Sequence, residues 1–238
     1  KEIEEMTEEL RRKGFKGQIL NGYGNNEGLS AETVNPMDHN KYGTVGIPFY
    51  GDSVCAVNSD NEELKYDETG EICVRTETEF TEYTGKEEET SKVKQIHPDG
   101  NSWIHTGDLG RVDEEGFVHL EGRLKRVIIR EAFKIVPGTI EETIKMHPMV
   151  EDCVTVGVHD DFAENVPMSF ISLKEECLEI EKVLEEIKLL CEKQLKDYEI
   201  PAYFELISEI PYTNNNKQDY RKLETIGNEK IEKSKQKK

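Results

Sequence analysis

The sequence is poor in positive charge. Lys and Arg total 31 against 50 Asp and Glu, a formal net charge of −19. So acidic a surface repels nucleic acids and anionic membranes, so any polyphosphate must be held by a few local cations, backbone N–H groups or a metal ion. Long apolar runs are missing too. Charged residues make up 34% of the chain, and no stretch approaches the roughly 20 residues of a membrane span. No signal peptide is visible and the first residue is Lys1 rather than Met, so a cytoplasmic protein and a piece of a longer or processed chain are expected. Cysteine is sparse and odd in number, five in all, with no C-x-x-C pair. Apolar neighbours, as in "SVCAV" and "EICVR", predict buried reduced thiols and argue against disulfides and zinc. The six histidines are scattered without ligand spacing, and no internal repeat is evident.

What is present is a helix, a run of short strands and then an α+β pattern across 238 residues, enough for one large or two modest domains. "KEIEEMTEELRRKG" predicts a helix with Ile3, Met6 and Leu10 on one face, stopped by Gly14. "GQIL" reads as a short buried strand and "NGYGNNEG" as a loop. From about residue 42 short strands and turns dominate, with a hairpin turning at Asp113 to Gly116 and an exposed loop at "TGKEEETSK". After Gly122 the pattern becomes strand, helix, two strands, helix, strand. The long helix "EIEKVLEEIKLLCEKQLK" turns Ile180, Val183, Leu184, Ile187, Cys191 and Leu195 inward. The last residues, 227–238, are charged and are expected to be disordered.

Four short motifs follow one another: "NGYGNNE" (residues 21–27), "WIHTGD" (103–108), "GRLKRVII" (122–129) and "PYTNNNK" (211–217). Each alone also suits an ordinary turn or linker. Together, in this order and about 80, 20 and 90 residues apart, they resemble the later motifs of the adenylate-forming superfamily of acyl- and aryl-CoA synthetases, peptide-synthetase adenylation domains and luciferases. The resemblance covers residues 17 to 223. It implies an α/β plus α+β fold: the end of a large N-terminal α/β domain at residues 1–122, with a β-rich subdomain from about 42, a hinge at 123–126 and a small mobile α+β lid at 127–226. No Ser/Thr/Gly-rich phosphate loop is found, which the resemblance places upstream.

The resemblance also implies roles. Tyr23 would lie beside adenine, with Gly24 letting the backbone approach. Asn26 stands where the family has Thr or Ser bonding the α-phosphate, and Glu27 would serve magnesium, which prefers hard oxygen ligands. Asp108 would accept bonds from both ribose hydroxyls, and Arg123 would add a second contact to the sugar. Lys125 occupies the hinge position. Lys217 would bridge the attacking carboxylate and the α-phosphate of ATP, where negative charge concentrates. The implied reaction forms an acyl-adenylate from ATP. It then passes the acyl group to the thiol of coenzyme A or of a carrier-protein phosphopantetheine. The acyl substrate is not legible.

Two positions depart from the family pattern. Asn216 replaces a glycine, and Asn tolerates φ > 0. Ala132, before Phe133, replaces a glycine on the path of the incoming thiol, where a methyl narrows the path or strains the backbone if φ is positive. A non-catalytic nucleotide-binding or interaction domain that keeps the fold is the alternative these departures leave open.

Overall fold

The computed structural model describes residues 2–175 and 177–235. The chain divides into two compact units, Lys1–Leu124 and Lys125–Lys238.

The first unit begins with helix α1 (Glu2–Arg12). Its buried stripe runs through Thr7, which is fully buried, whereas Met6 is exposed. Ile3 and Leu10 are half-buried on either side of Thr7, so the expected face holds with that residue in place of Met6, and Thr7 Oγ1 donates to Ile3 O at 2.7 Å. "GQIL" is irregular. The first strand instead falls in the stretch expected to be a loop, as β1 (Gly22–Asn25), paired antiparallel with β2 (Ser30–Val34), which pairs with β3 (Ile47–Pro48). A ladder partner one strand away, rather than local composition, makes this Gly/Asn-rich segment extended.

A second sheet contains β4 (Ser53–Val57), β5 (Gly70–Arg75), β6 (Lys94–Ile96), β7 (Ser102–Val112) and β8 (Val118–Arg123). The order is β4-β5-β7-β6 with β8 also on β7, all antiparallel. Side chains alternate between two faces with period two. Ala56, Ile72 and Val118 join Val45 in one apolar cluster. Cys55, Val57, Cys73 and Trp103 make the other. "TGKEEETSK" is not a loop throughout, because it contains helix α2 (Glu87–Val93), with Glu87, Glu88 and Glu89 in its first turn, where the helix dipole favours acids.

The second unit opens in a 3₁₀ turn, Leu124–Arg126, whose Leu124 belongs to the first unit. Its sheet has the order β10-β9-β12-β11, from β9 (Ile128–Arg130), β10 (Phe133–Ile135), β11 (Val150–Asp160) and β12 (Glu164–Leu173). Strand β13 (Tyr203–Leu206) pairs parallel to β12. Helices α3 (Pro137–Lys145) and α4 (Ile180–Gln194) cover one face. There Ile140, Ile144, Val183, Ile187 and Cys191 pack on Cys153 and Ile171. Ile180, expected to face inward, is exposed at the first position of α4.

Helix α5 (Tyr220–Lys235) covers the other face, with Leu223 and Ile231 packed against Val158, Met168 and Phe170. The expected disorder of residues 227–238 is thus corrected through Lys235, and the rest of that stretch lies outside the described residues. Leu223, Gly227 and Ile231 recur every four residues, one per helical turn, and all three are buried. A Cβ on Gly227 would lie 2.7 Å from Val158 Cγ1, so glycine lets the helix sit directly on the sheet. Each fully buried Leu or Ile of this seam contributes about 1.5–3 kcal/mol.

Candidate functional site

In the first unit, pairing of β7 with β8 places Asp108 directly opposite Arg123. Arg123 Nε lies 2.7 Å from Asp108 Oδ1, and the Tyr23 hydroxyl, from β1, donates to Oδ2 at 2.7 Å. Asp108 is buried, while the Arg123 side chain remains more than half exposed. The strand is bent just before this carboxylate. Gly107 has φ +71°, in the left-handed region, and its N–H donates to Glu71 Oε1 at 2.9 Å. Thr106 Oγ1 accepts from Asp108 N and donates to Ile72 O. A register shift follows at Leu109/Gly110, the kind of bulge that re-aims a side chain. Burial, helped by the Asp108 carboxylate and opposed by Thr106, pushes the Tyr23 phenol well above its ordinary range, so it stays a donor.

Around the β1–β2 turn, Gly24 and Asn26 are exposed and, with Asn25, Leu29 and Ala31, line an open depression of about 520 Å³. Glu27 is half-buried. Its backbone carbonyl accepts from Phe80 N at 2.7 Å, and its Oε1 accepts from the Tyr83 hydroxyl. Burial and that bond push Tyr83 up to about 12. Oε2 of Glu27 has no hydrogen-bond partner among the described residues. Behind the turn, Glu32 is fully buried and accepts Asn25 N–H through both oxygens, at 3.2 and 3.1 Å. Burial pushes Glu32 up to about 7; its backbone bonds oppose this, and the charges of Asp52 and Glu27 add to it. Asn25 Nδ2 is buried without a partner among the described residues.

In the second unit, Lys217 stands exposed at the end of a tight turn. Thr213 N donates to Lys217 O at 2.7 Å, Asn216 N donates to Thr213 O at 2.9 Å, and Asn216 has φ +56°. The left-handed residue is thus the asparagine that stands in place of glycine. Lys217 makes no ion pair among the described residues. The two sides of the turn are both tied to Asp152 of β11: Tyr212 Oη donates to Oδ2 at 3.1 Å, and Gln218 Nε2 reaches both oxygens at 3.0 and 2.8 Å. Lys145 Nζ of α3 also bonds Asp152, at 2.6 Å. Burial raises the Asp152 carboxyl, but the bonds to Lys145 and Gln218 outweigh it and hold the group below its usual range.

Lys125 is exposed in the 3₁₀ turn. The neighbouring Arg126 ion-pairs with Glu141 and lies over the Tyr220 ring, 5.5 Å from its centre. Ala132 and Phe133 sit at the β9–β10 hairpin. Ala132 does not carry a positive φ; Glu131 does, at +54°. The strain considered for Ala132 therefore belongs to the residue before it, at a cost of about 1–2 kcal/mol. Phe133 is partly exposed and stacks on Tyr198, with ring centroids 4.3 Å apart and planes 10° from parallel.

The structure thus joins Tyr23, Asp108 and Arg123 in one hydrogen-bonded group and keeps Gly24, Asn26 and Glu27 on the adjoining turn. Lys217, Lys125, Ala132 and Phe133 belong to the second unit. Several polar residues were not picked out from sequence. Glu32, Tyr83 and Asp152 carry no motif. The histidines are scattered along the sequence, yet Cys73 and His105 are directly opposed across β5 and β7, and His97 joins them. Only strand pairing brings those positions together, so no linear spacing marks them.

The family described as AMP-binding enzyme matches residues 3–84, and the AMP-binding enzyme C-terminal domain matches residues 139–217. The long-chain-fatty-acid–CoA ligase of Escherichia coli O157:H7 is 29% identical over 215 residues, 90% of this chain and 37% of that protein. The chain therefore spans under two fifths of that relative's length. The solved structure of o-succinylbenzoate CoA synthetase from Bacillus subtilis with its acyl-adenylate intermediate is 27% identical, with a TM-score of 0.78. It covers 92% of this chain and 43% of that one. The same enzyme with ATP and magnesium ion gives a TM-score of 0.75 at 27% identity, over 90% of this chain and 42% of that one.

Proposed function

Because the chain belongs to the AMP-binding, adenylate-forming enzyme family, we propose that the protein it forms is an ATP-dependent carboxylate-activating ligase. It makes an acyl-adenylate and then an acyl thioester with coenzyme A or a carrier-protein phosphopantetheine. The observation that carries this reading is the Tyr23–Asp108–Arg123 group. It holds a buried carboxylate oriented by two partners, and Tyr23 adjoins Gly24, which lines the open depression.

The donor set fits a nucleotide. Each oxygen of Asp108 accepts one bond from the protein, and a carboxylate has about four acceptor positions in all. One position per oxygen therefore remains for the two hydroxyls of a ribose. Arg123 orients Asp108 and has exposed N–H groups for the same sugar. Tyr23 presents its ring beside the adenine, and Gly24 leaves room for it. Asn26 offers amide N–H groups to the α-phosphate. The free oxygen of Glu27 suits magnesium, directly or through water, and the bound ion supplies charge neutralisation to the polyphosphate.

Lys217 supplies the ammonium that orients the substrate carboxylate against the α-phosphorus and stabilises the charge that develops as pyrophosphate leaves. Its exposure and lack of an ion pair support this role, since no protein carboxylate has to be displaced first. Lys125, the first residue of the second unit, is the hinge position. Ala132 and Phe133 border the path of the thiol, and the added methyl of Ala132 slows thioester formation relative to adenylation. The carboxylate substrate remains any of the fatty, aryl or amino acids. ATP–pyrophosphate exchange by the whole protein, with a panel of carboxylates, tests the proposal. Exchange with at least one acid, lost in Lys217→Ala, is expected. Wild-type protein that binds AMP but exchanges with none would favour the non-catalytic alternative.

A further inference from the structure

We propose that Cys73, His97 and His105 form a binding site for one zinc ion in the β-rich sheet of the first unit. Cys73 Sγ and one ring nitrogen from each histidine lie within 4.8 Å of one another, and all three residues are buried. They come from β5, from the residue after β6, and from β7, so the cluster is an outcome of strand pairing. One thiolate and two imidazoles are a donor set that zinc takes in tetrahedral sites, and a fourth position is left for water.

The surroundings are built as a metal site requires. His105 Nδ1 lies 2.8 Å from Glu71 Oε2. An ionised carboxylate only accepts, so Nδ1 carries the proton and Nε2 presents a lone pair. A carboxylate behind a ligating histidine is the usual means of orienting its ring. Glu71 is itself held by Gly107 N–H. Trp103 stacks on His97, with centroids 5.4 Å apart and planes 13° from parallel, which fixes the second ring. His97 leads into the exposed residues 98–100, which gives an ion a short way in.

Without the ion, His97 Nε2–H donates to His105 Nε2 at 2.9 Å. Two nitrogens on one tetrahedral zinc stand about 3.3 Å apart, given Zn–N bonds of about 2.0–2.1 Å. Rings already in contact need open only by a few tenths of an ångström. On binding, the Cys73 S–H bond breaks, its proton passes to buffer and an S–Zn bond forms. The His97 proton moves from Nε2 to Nδ1, which frees the second nitrogen lone pair.

Cobalt(II) titrated into the reduced full chain is the test. One equivalent is expected to give the strong visible bands of a tetrahedral site and a thiolate-to-cobalt band in the near ultraviolet, both erased by zinc. Cys73→Ser should remove the thiolate band, Cys177→Ser should leave it, and His97→Gln should weaken cobalt binding at least 10-fold. No thiolate band in the wild-type chain overturns the proposal. So does a band that persists in Cys73→Ser or is unchanged in His97→Gln. Should Cys73→Ser fail to fold, the wild-type, Cys177→Ser and His97→Gln measurements still decide.

Discussion

The two units hold their candidate residues in opposite ways. Asp108 is buried, paired across strands to Arg123, capped by Tyr23 and aimed by a bulge. Lys217 is exposed and makes no ion pair among the described residues, on a turn with a left-handed asparagine. A group that must recognise one ligand geometry gains from being fixed before the ligand arrives. A group that must neutralise charge only during reaction gains from being solvated and unpaired until then. The contrast predicts that damage to the first unit shows in binding, and damage to the Lys217 turn in rate.

The largest expected effect is that of Lys217→Ala. It should lower ATP–pyrophosphate exchange by the whole protein about 10²–10³-fold, the scale of a lost transition-state cation. AMP affinity and thermal stability should stay as they were. A variant that lost AMP affinity in equal measure would erase the contrast.

Next is Asp108→Asn, which removes a charge-assisted acceptor worth about 1.5–3 kcal/mol. Calorimetric titration of AMP should show binding weaker by one to two orders of magnitude.

Asp152→Asn should be milder, destabilising the second unit by about 1–2 kcal/mol through its bonds to Lys145 and Gln218. Hydrogen exchange should speed up at the amides of Thr213, Asn216 and Asp219, all bonded within or beside the turn. Unchanged exchange there would show that Asp152 does not hold the turn. Its folded-state pKa is depressed, so its contribution is present at neutral pH and is lost as pH falls below 3.8.

Glu32 runs the other way. Its folded pKa is raised from 4.5 to about 7, so the folded state holds a proton that the unfolded state has lost. Stability of the first unit should therefore fall as pH rises from about 4.5 to about 7 and level off above. Glu32→Gln should flatten this slope in denaturant titrations, and a slope of unchanged size would refute the assignment. Smallest of all is Ala132→Gly. Because Ala132 is not at positive φ, the change should leave stability within about 1 kcal/mol. It should raise the ratio of thioester to adenylate formation by less than about 10-fold, read in the two half-reactions separately.

Much of this was legible from sequence, for physical reasons that differ by region. In the second unit the period-four spacing of Val183, Ile187 and Cys191 and the apolar runs of β11 and β12 name their elements directly. Both faces of that sheet are covered, so burial and pattern agree. In the first unit the same reasoning misplaced the first strand, because Gly22 to Asn25 have poor strand propensity and are extended by their partner. The charged run 227–235 reads as a tail until Ile231 is placed in register with Gly227 and Leu223, one helical turn apart. Motif residues such as Asp108 and Lys217 stand out through their order along the chain. Glu32, Tyr83, Asp152 and the Cys73 cluster are defined only by neighbours distant in sequence.

Asp152 has one further consequence. It grips Tyr212 and Gln218, the two residues on either side of the turn, and leaves the tip between them ungripped. Residues 213–217 therefore behave as an exchangeable cassette in a fixed socket. They can be swapped for another five-residue turn ending in lysine, provided a residue that tolerates positive φ stands at position 216, without loosening the socket.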